Sequence, residues 1–147
     1  MVFHFSEWAV DIDTERTRAW YRSAAQSGCD CLSCQNFRAA GASSEAVEQF
    51  FRQLGVEYRK SAELCIPYCE TPEGPMLYDG WYHLCGTILA QPVYGQKGHQ
   101  VDKDFSVWFS PDCALLEEGF PAPAVEMRFH AKIPWVLDQK AKQEYLL

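Results

Sequence analysis

Long apolar runs are missing from this sequence. No stretch approaches the roughly 18 uninterrupted apolar residues that cross a bilayer, so no membrane-spanning helix is expected. The first residues, MVFHFSEWAVDID, lack the basic start and apolar middle of a secretory signal. Positive charge is scarce too, with 13 Lys and Arg against 20 Asp and Glu and a net charge of −7. The densest basic group, Arg16, Arg18 and Arg22, is interrupted by Glu15 and suits the wet face of a helix. Neutralising phosphates takes clustered Lys and Arg, so neither nucleic acid nor an anionic membrane surface is an expected partner. An even cysteine count is also absent. Seven cysteines in a chain large enough to fold without bridges point to a reducing, cytoplasmic setting with free or metal-bound thiols. Finally, the sequence contains no P-loop, G-x-G-x-x-G, H-E-x-x-H or G-x-S-x-G, which removes the readily legible routes to an enzyme.

What is present suits one domain over residues 1–147, since 147 residues is a usual domain size and 48% hydrophobic residues can fill a core. Phe3 and Phe5 alternate in one phase and Trp8, Val10 and Ile12 in the other, so residues 2–12 are a bulged strand or two short ones. Asp13 is a good N-cap for a helix to about Ala25, with Thr17, Trp20, Tyr21 and Ala24 on one face and Gly28 as its stop. Residues 32–40 form a short second helix ending at Gly41. Ser44 caps a third, whose stripe is Val47, Phe50, Phe51 and Leu54 and whose end is Gly55.

Strands follow. Pro67, Pro72, Gly74 and Pro75 make residues 56–75 an extended or looping connection. Asp79-Gly80 suits a two-residue hairpin turn between Leu77-Tyr78 and Trp81-Tyr82. Residues 81–90, apolar on both faces, read as a central strand. Residues 95–103 read as a polar loop, Phe105, Val107 and Phe109 as a strand, and 111–123 as a turn-rich connection. Val125, Met127, Phe129, Ala131 and Ile133 alternate with Glu126, Arg128, His130 and Lys132, which predicts a half-buried strand with the second set in water. Pro134 ends it, and the tail from about residue 139 is expected to fray. Helices first and strands afterwards give an α+β fold, with about three N-terminal helices packed on one face of an antiparallel sheet.

The chemistry concentrates at Cys29-Asp30-Cys31-Leu32-Ser33-Cys34, three thiols at the start of the second helix. Helix N-terminal amides stabilise thiolates, the state that binds metal. Zinc in a structural site takes four Cys or His ligands. The fourth must come from elsewhere: His83 suits best, held on a strand, ahead of Cys85, Cys65 and Cys69. Two other readings compete. The thiols can be small buried core residues, or Cys31 and Cys34 can form a C-x-x-C redox pair, although a helix rather than a strand precedes it. Trp81, Tyr82 and His83 are candidates to line an aromatic pocket for a small molecule.

Three segments resemble motifs of a family of small uncharacterised bacterial proteins: Cys29-x-Cys31-x-x-Cys34-x-Asn36-Phe37, Gly80-Trp81-Tyr82-His83-x-x-Gly86 and Ile133-Pro134-Trp135-Val136-Leu137. The resemblance implies a bacterial cytosolic domain and carries no activity. The sequence is thus read as a noncatalytic interaction or accessory protein with a structural, zinc-bound cysteine cluster, acting with a protein partner or as a homo-oligomer. The alternatives are a binding protein or enzyme working near His83, and a thiol redox protein.

Overall fold

The computed structural model describes residues 1–26, 29–93 and 97–147, without the side chain of Ile66. At its centre the alternating strand pairs antiparallel over its whole length with residues 76–85 of the strand that contains the apolar run. These are β4 (Met76–Ala90) and β7 (Ala124–Ile133), and Tyr82 lies opposite Met127 and His83 opposite Glu126. Outward from β7 come β6 (Phe105–Ser110) and β5 (His99–Asp102), while β2 (Trp8–Ile12) and β1 (Val2–Phe5) continue from the other side of β4. β3 (Glu63–Cys69) also pairs with β4, giving seven antiparallel strands among the described residues.

Three helices precede most of the sheet: α1 (Thr14–Ser23), α2 (Leu32–Ala40) and α3 (Glu45–Leu54). The fold is α+β, as the order of patterns predicts. Their ends follow the caps in the sequence: the Asp13 carboxylate accepts from Arg16 N and Ser44 Oγ from Val47 N. Gly55 closes α3 with φ +82°, and a Cβ there would stand 2.7 Å from Thr14 O, so both backbone and space require glycine.

Because side chains alternate across a strand, β4 sends Tyr78 and Tyr82 to one face and Trp81 and His83 to the other. On the first face α2 and α3 build an aromatic core. Phe37 stacks on Tyr58 at 4.6 Å and on Phe129 at 5.7 Å, and the Phe51 ring meets Tyr82 at 4.9 Å. The α1 helix has a further task at the sheet's edge. β3 pairs with β4 as far as Trp81 and β2 takes over at Gly86, which leaves a gap along β4 between them. Tyr21 Oη donates to His83 O (2.7 Å) and accepts from His83 N (3.2 Å), and Thr17 Oγ1 accepts from Cys85 N (3.1 Å). Two side chains of α1 thus satisfy backbone groups that a missing strand leaves open.

The structure corrects several expectations. Within the stretch expected to be extended or looping, residues 63–69 are a strand; Pro67 is tolerated because the register against β4 shifts between Cys65 and Tyr68 and, among the described residues, the other side of β3 meets only the tail at Cys69. Asp79-Gly80 makes no turn, and β4 runs straight through it. A Cβ on Gly80 would collide with Glu63 O and sit 3.0 Å from the Phe129 ring, so this glycine permits close approach instead of reversal. The polar loop contains β5, while Tyr94, Gly95, Gln96 and the expected stop at Gly28 lie outside the described residues. The tail is docked: α4 (Gln139–Lys142) is followed by a 3-10 turn, Lys142 Nζ donates to Pro72 O (2.7 Å) and Gly74 O, and Leu147 N donates to Cys69 O (2.9 Å). Glu126, expected in water, is 1% exposed.

Candidate functional site: a surface three-thiol cluster

Cys31 is the N-cap residue of α2, extended at φ −63° and ψ 159°, and Cys34 lies one turn into the helix. That geometry turns Cys29 and Cys31 back over the helix start. The Gln35 amide donates to Asp30 O (2.5 Å) and Arg38 Nη2 to Cys29 O (3.1 Å), which holds the turn in place. The three sulfurs all lie within 4.8 Å of one another. Cys29 Sγ donates to Cys31 Sγ at 3.2 Å, and Cys31 Sγ is 3.3 Å from Ser33 Oγ. Cys34 is buried, while Cys29 and Cys31 are exposed.

The helix beneath is anchored without help from the thiols. Asn36 Nδ2 donates to Tyr78 Oη and Pro134 O, both at 3.2 Å, and its Oδ1 accepts from Val136 N at 2.7 Å. Tyr78 Oη donates to Ser33 O (2.7 Å), and Ser33 N donates to Tyr145 Oη (3.1 Å). Phe37 is fully buried in the core. The Asn36-Phe37 and Pro134–Val136 segments, distant in sequence, are therefore one joint between α2 and the end of β7.

The environment separates the thiols electrically. Burial of Cys31 would raise its pKa, but hydrogen bonds from the Ser33 hydroxyl, the Cys34 backbone and the neighbouring thiols outweigh it and bring it down to about 7. Cys34 moves far upward, through burial first and then through its bonded thiol neighbours. The outer thiol of Cys31 is thus the more acidic of the two and the inner thiol of Cys34 the less acidic.

His83 does not join them. It points to the sheet face opposite Tyr78 and α2, where its Nε2 is 3.7 Å from Glu126 Oε1 and its ring meets Phe120 at 6.0 Å. The reason is parity: five residues separate 78 from 83, so the two side chains leave opposite faces. None of Cys65, Cys69 and Cys85 belongs to the group either. The proposed aromatic pocket divides for the same reason. Tyr82 is buried on the helical face and donates to Tyr58 O (2.5 Å), leaving Trp81 and His83 on the other.

Around His83 is a constellation the sequence did not disclose. The 111–123 connection folds over this face: Ala114 N donates to Glu126 Oε1 (3.0 Å), and Trp81 Nε1 donates to Ala114 O (3.0 Å). Arg128 Nε donates to Glu126 Oε2 at 2.6 Å, and its guanidinium lies 5.0 Å from the Trp81 ring. Burial lowers the His83 pKa, partly offset by Glu126, and Nε2 has no hydrogen-bond partner. Beside it is a cavity of about 60 Å³, lined by Trp20, Tyr21, Lys60, His83, Glu117 and Phe120 among others. No signal in the strand pattern marks Glu126; only the overlying connection buries it.

Comparison with known protein families, curated proteins and solved structures gives no match to this chain.

Proposed function

We propose that this is a noncatalytic accessory protein of the reducing cytosol that binds one thiophilic metal ion, zinc being the ion of choice, through Cys29, Cys31 and Cys34. One observation carries this reading: three sulfurs converge within 4.8 Å, yet two of them are exposed. Inert thiol packing accounts for Cys34 and leaves Cys29 and Cys31 without a reason to meet at the surface. Thiolates brought so close repel until a cation or protons neutralise them, and zinc and other soft ions favour sulfur donors. Elemental analysis of reduced, untagged protein purified without chelator should find close to one equivalent of metal. Cys31→Ser should reduce this sharply. Metal-free protein that also takes up no zinc or cobalt when titrated would sink the reading.

The redox reading, made for Cys31 and Cys34, keeps a specific observation in its favour: Cys31, a thiol of lowered pKa, lies within 4.8 Å of Cys34 and, at 3.2 Å, still nearer to Cys29. A disulfide within the cluster that forms and reduces reversibly in the folded protein would favour it. The small-molecule reading at His83 draws less support, because a cavity of about 60 Å³ is well below the roughly 300–1,000 Å³ of metabolite pockets.

A further inference from the structure

We infer that the three-thiol cluster is an open exchange site, in which a bound ion keeps its fourth coordination position for a small thiol from solution, and is not a structural staple. The inference rests on the metal-binding reading above and specifies the chemistry of the same site.

The ligand count comes first. Among the described residues, the group of close ligand atoms ends at the three sulfurs. The neighbouring Asp30 carboxylate is 96% exposed and lies 3.6 Å from Arg38 Nη2, an ion pair at the rim. A tetrahedral ion therefore lacks one protein ligand, the arrangement that elsewhere leaves a position for water or an incoming group. Direction decides which side stays open. Cys34 is buried against the core, while Cys29 and Cys31 are exposed, so the fourth position faces outward.

Connectivity supplies the second argument. A structural zinc stabilises a fold when its ligands tie separate segments together. Here all three ligands lie within one turn and the helix start that follows it, so the ion crosslinks almost nothing. The unfolded chain retains the same local ligand set, and binding to the unfolded state reduces the stabilisation a ligand confers. Meanwhile α2 is fixed by Asn36, Phe37, Tyr78 and Tyr145, none of them a metal ligand. The fold does not need the ion.

Softness selects the incoming ligand, because a thiolate matches the existing sulfur donors. The Arg38 guanidinium, 3.1 Å from Cys29 O and 3.6 Å from Asp30 Oδ1, is already paired at the rim. The exchange is a simple substitution: the metal–oxygen bond of the bound water breaks, a metal–sulfur bond forms, and the thiol's proton is released to solvent with the water. No oxidant or reductant is required.

The test uses the full-length reduced protein under anaerobic conditions, loaded with cobalt(II) as a spectroscopic stand-in for zinc. Titration with 2-mercaptoethanol should raise the sulfur-to-cobalt charge-transfer intensity by about one third, the ratio of four thiolates to three, and dilution should reverse it. In parallel, stripping zinc with a chelator should move the Tm by less than about 3 °C, within what a small stability change gives at this chain length. Charge-transfer bands that do not respond to thiol, or a Tm falling by 10 °C or more, would overturn the open site while leaving metal binding intact. The absence of any cobalt–sulfur band would overturn both.

Discussion

The two faces of the central sheet are made by different means. On the helical face, Phe37, Phe51, Tyr82, Phe105 and Phe129 meet ring to ring and exclude water; alternation along β4, β6 and β7 places the last three, and α2 and α3 bring the first two. On the other face, alternation delivers Trp81, His83, Glu126 and Arg128, of which the strand pattern sets Glu126 and Arg128 in water, yet the 111–123 connection covers part of the set. A strand pattern therefore states which face a side chain takes and not whether that face is wet. A carboxylate on the outward side becomes buried when a loop supplies an amide and a neighbour supplies a guanidinium.

Deleting a ring on the helical face should have the largest effect. Phe129→Ala removes a fully buried ring that stacks on Phe105 at 5.3 Å and meets Tyr82 at 5.5 Å. Denaturant melts should show a loss of about 3–5 kcal/mol. A loss below about 1 kcal/mol would mean that this face is not the core.

The covered face should respond less. Glu126→Ala leaves Ala114 N–H without its acceptor and Arg128, itself partly exposed, without its anion. The cost should be about 1–3 kcal/mol, and hydrogen exchange at the Ala114 amide should accelerate. Unchanged protection of that amide would show that Glu126 does not hold the connection down.

Acid should separate the faces further. Burial depresses the pKa of His83 in the folded state, so between that value and the ordinary histidine range the unfolded chain binds the extra proton. Stability should therefore be full above the ordinary histidine pKa and decline as pH falls through it, levelling once the folded imidazole also protonates. Glu126 and Glu117 face His83 and moderate the slope, with Arg128 behind Glu126 and Lys60 across the cavity. His99, also depressed by burial, contributes its own share, so His83→Gln should flatten the acid limb without abolishing it. Stability curves of the two proteins from pH 7 to 5 decide it; identical slopes would remove His83 from the account.

The smallest effect belongs to the uncovered part of the same face. Asp79 and His130 meet at 2.9 Å with both side chains about half exposed. Asp79→Asn should change stability by under about 1 kcal/mol, the usual range of exposed pairs. A thermal melt showing a much larger loss would mean that protection extends further along the sheet than the 111–123 connection.

What the sequence determined by itself was local. Asp13 and Ser44 cap their helices because a short oxygen-bearing side chain meets an orphan amide wherever the chain turns helical. Gly55 ends α3, the 47, 50, 51, 54 stripe is buried, and residues 125–133 alternate, because periods of 3.6 and 2 are fixed by backbone geometry. The closeness of Cys29, Cys31 and Cys34 was equally legible, since six residues entering a helix cannot separate them far. Tertiary structure decided the rest. It made residues 63–69 a strand despite Pro67, because an edge of β4 was open to pair. It turned Asp79-Gly80 from a turn signal into a close approach under Glu63 and Phe129. It buried Glu126 beneath a connection, and it sent His83 away from the thiols to the opposite face. Each of these depends on which segment lies across a strand or over a face, a relation between residues far apart in sequence that no local period or spacing encodes.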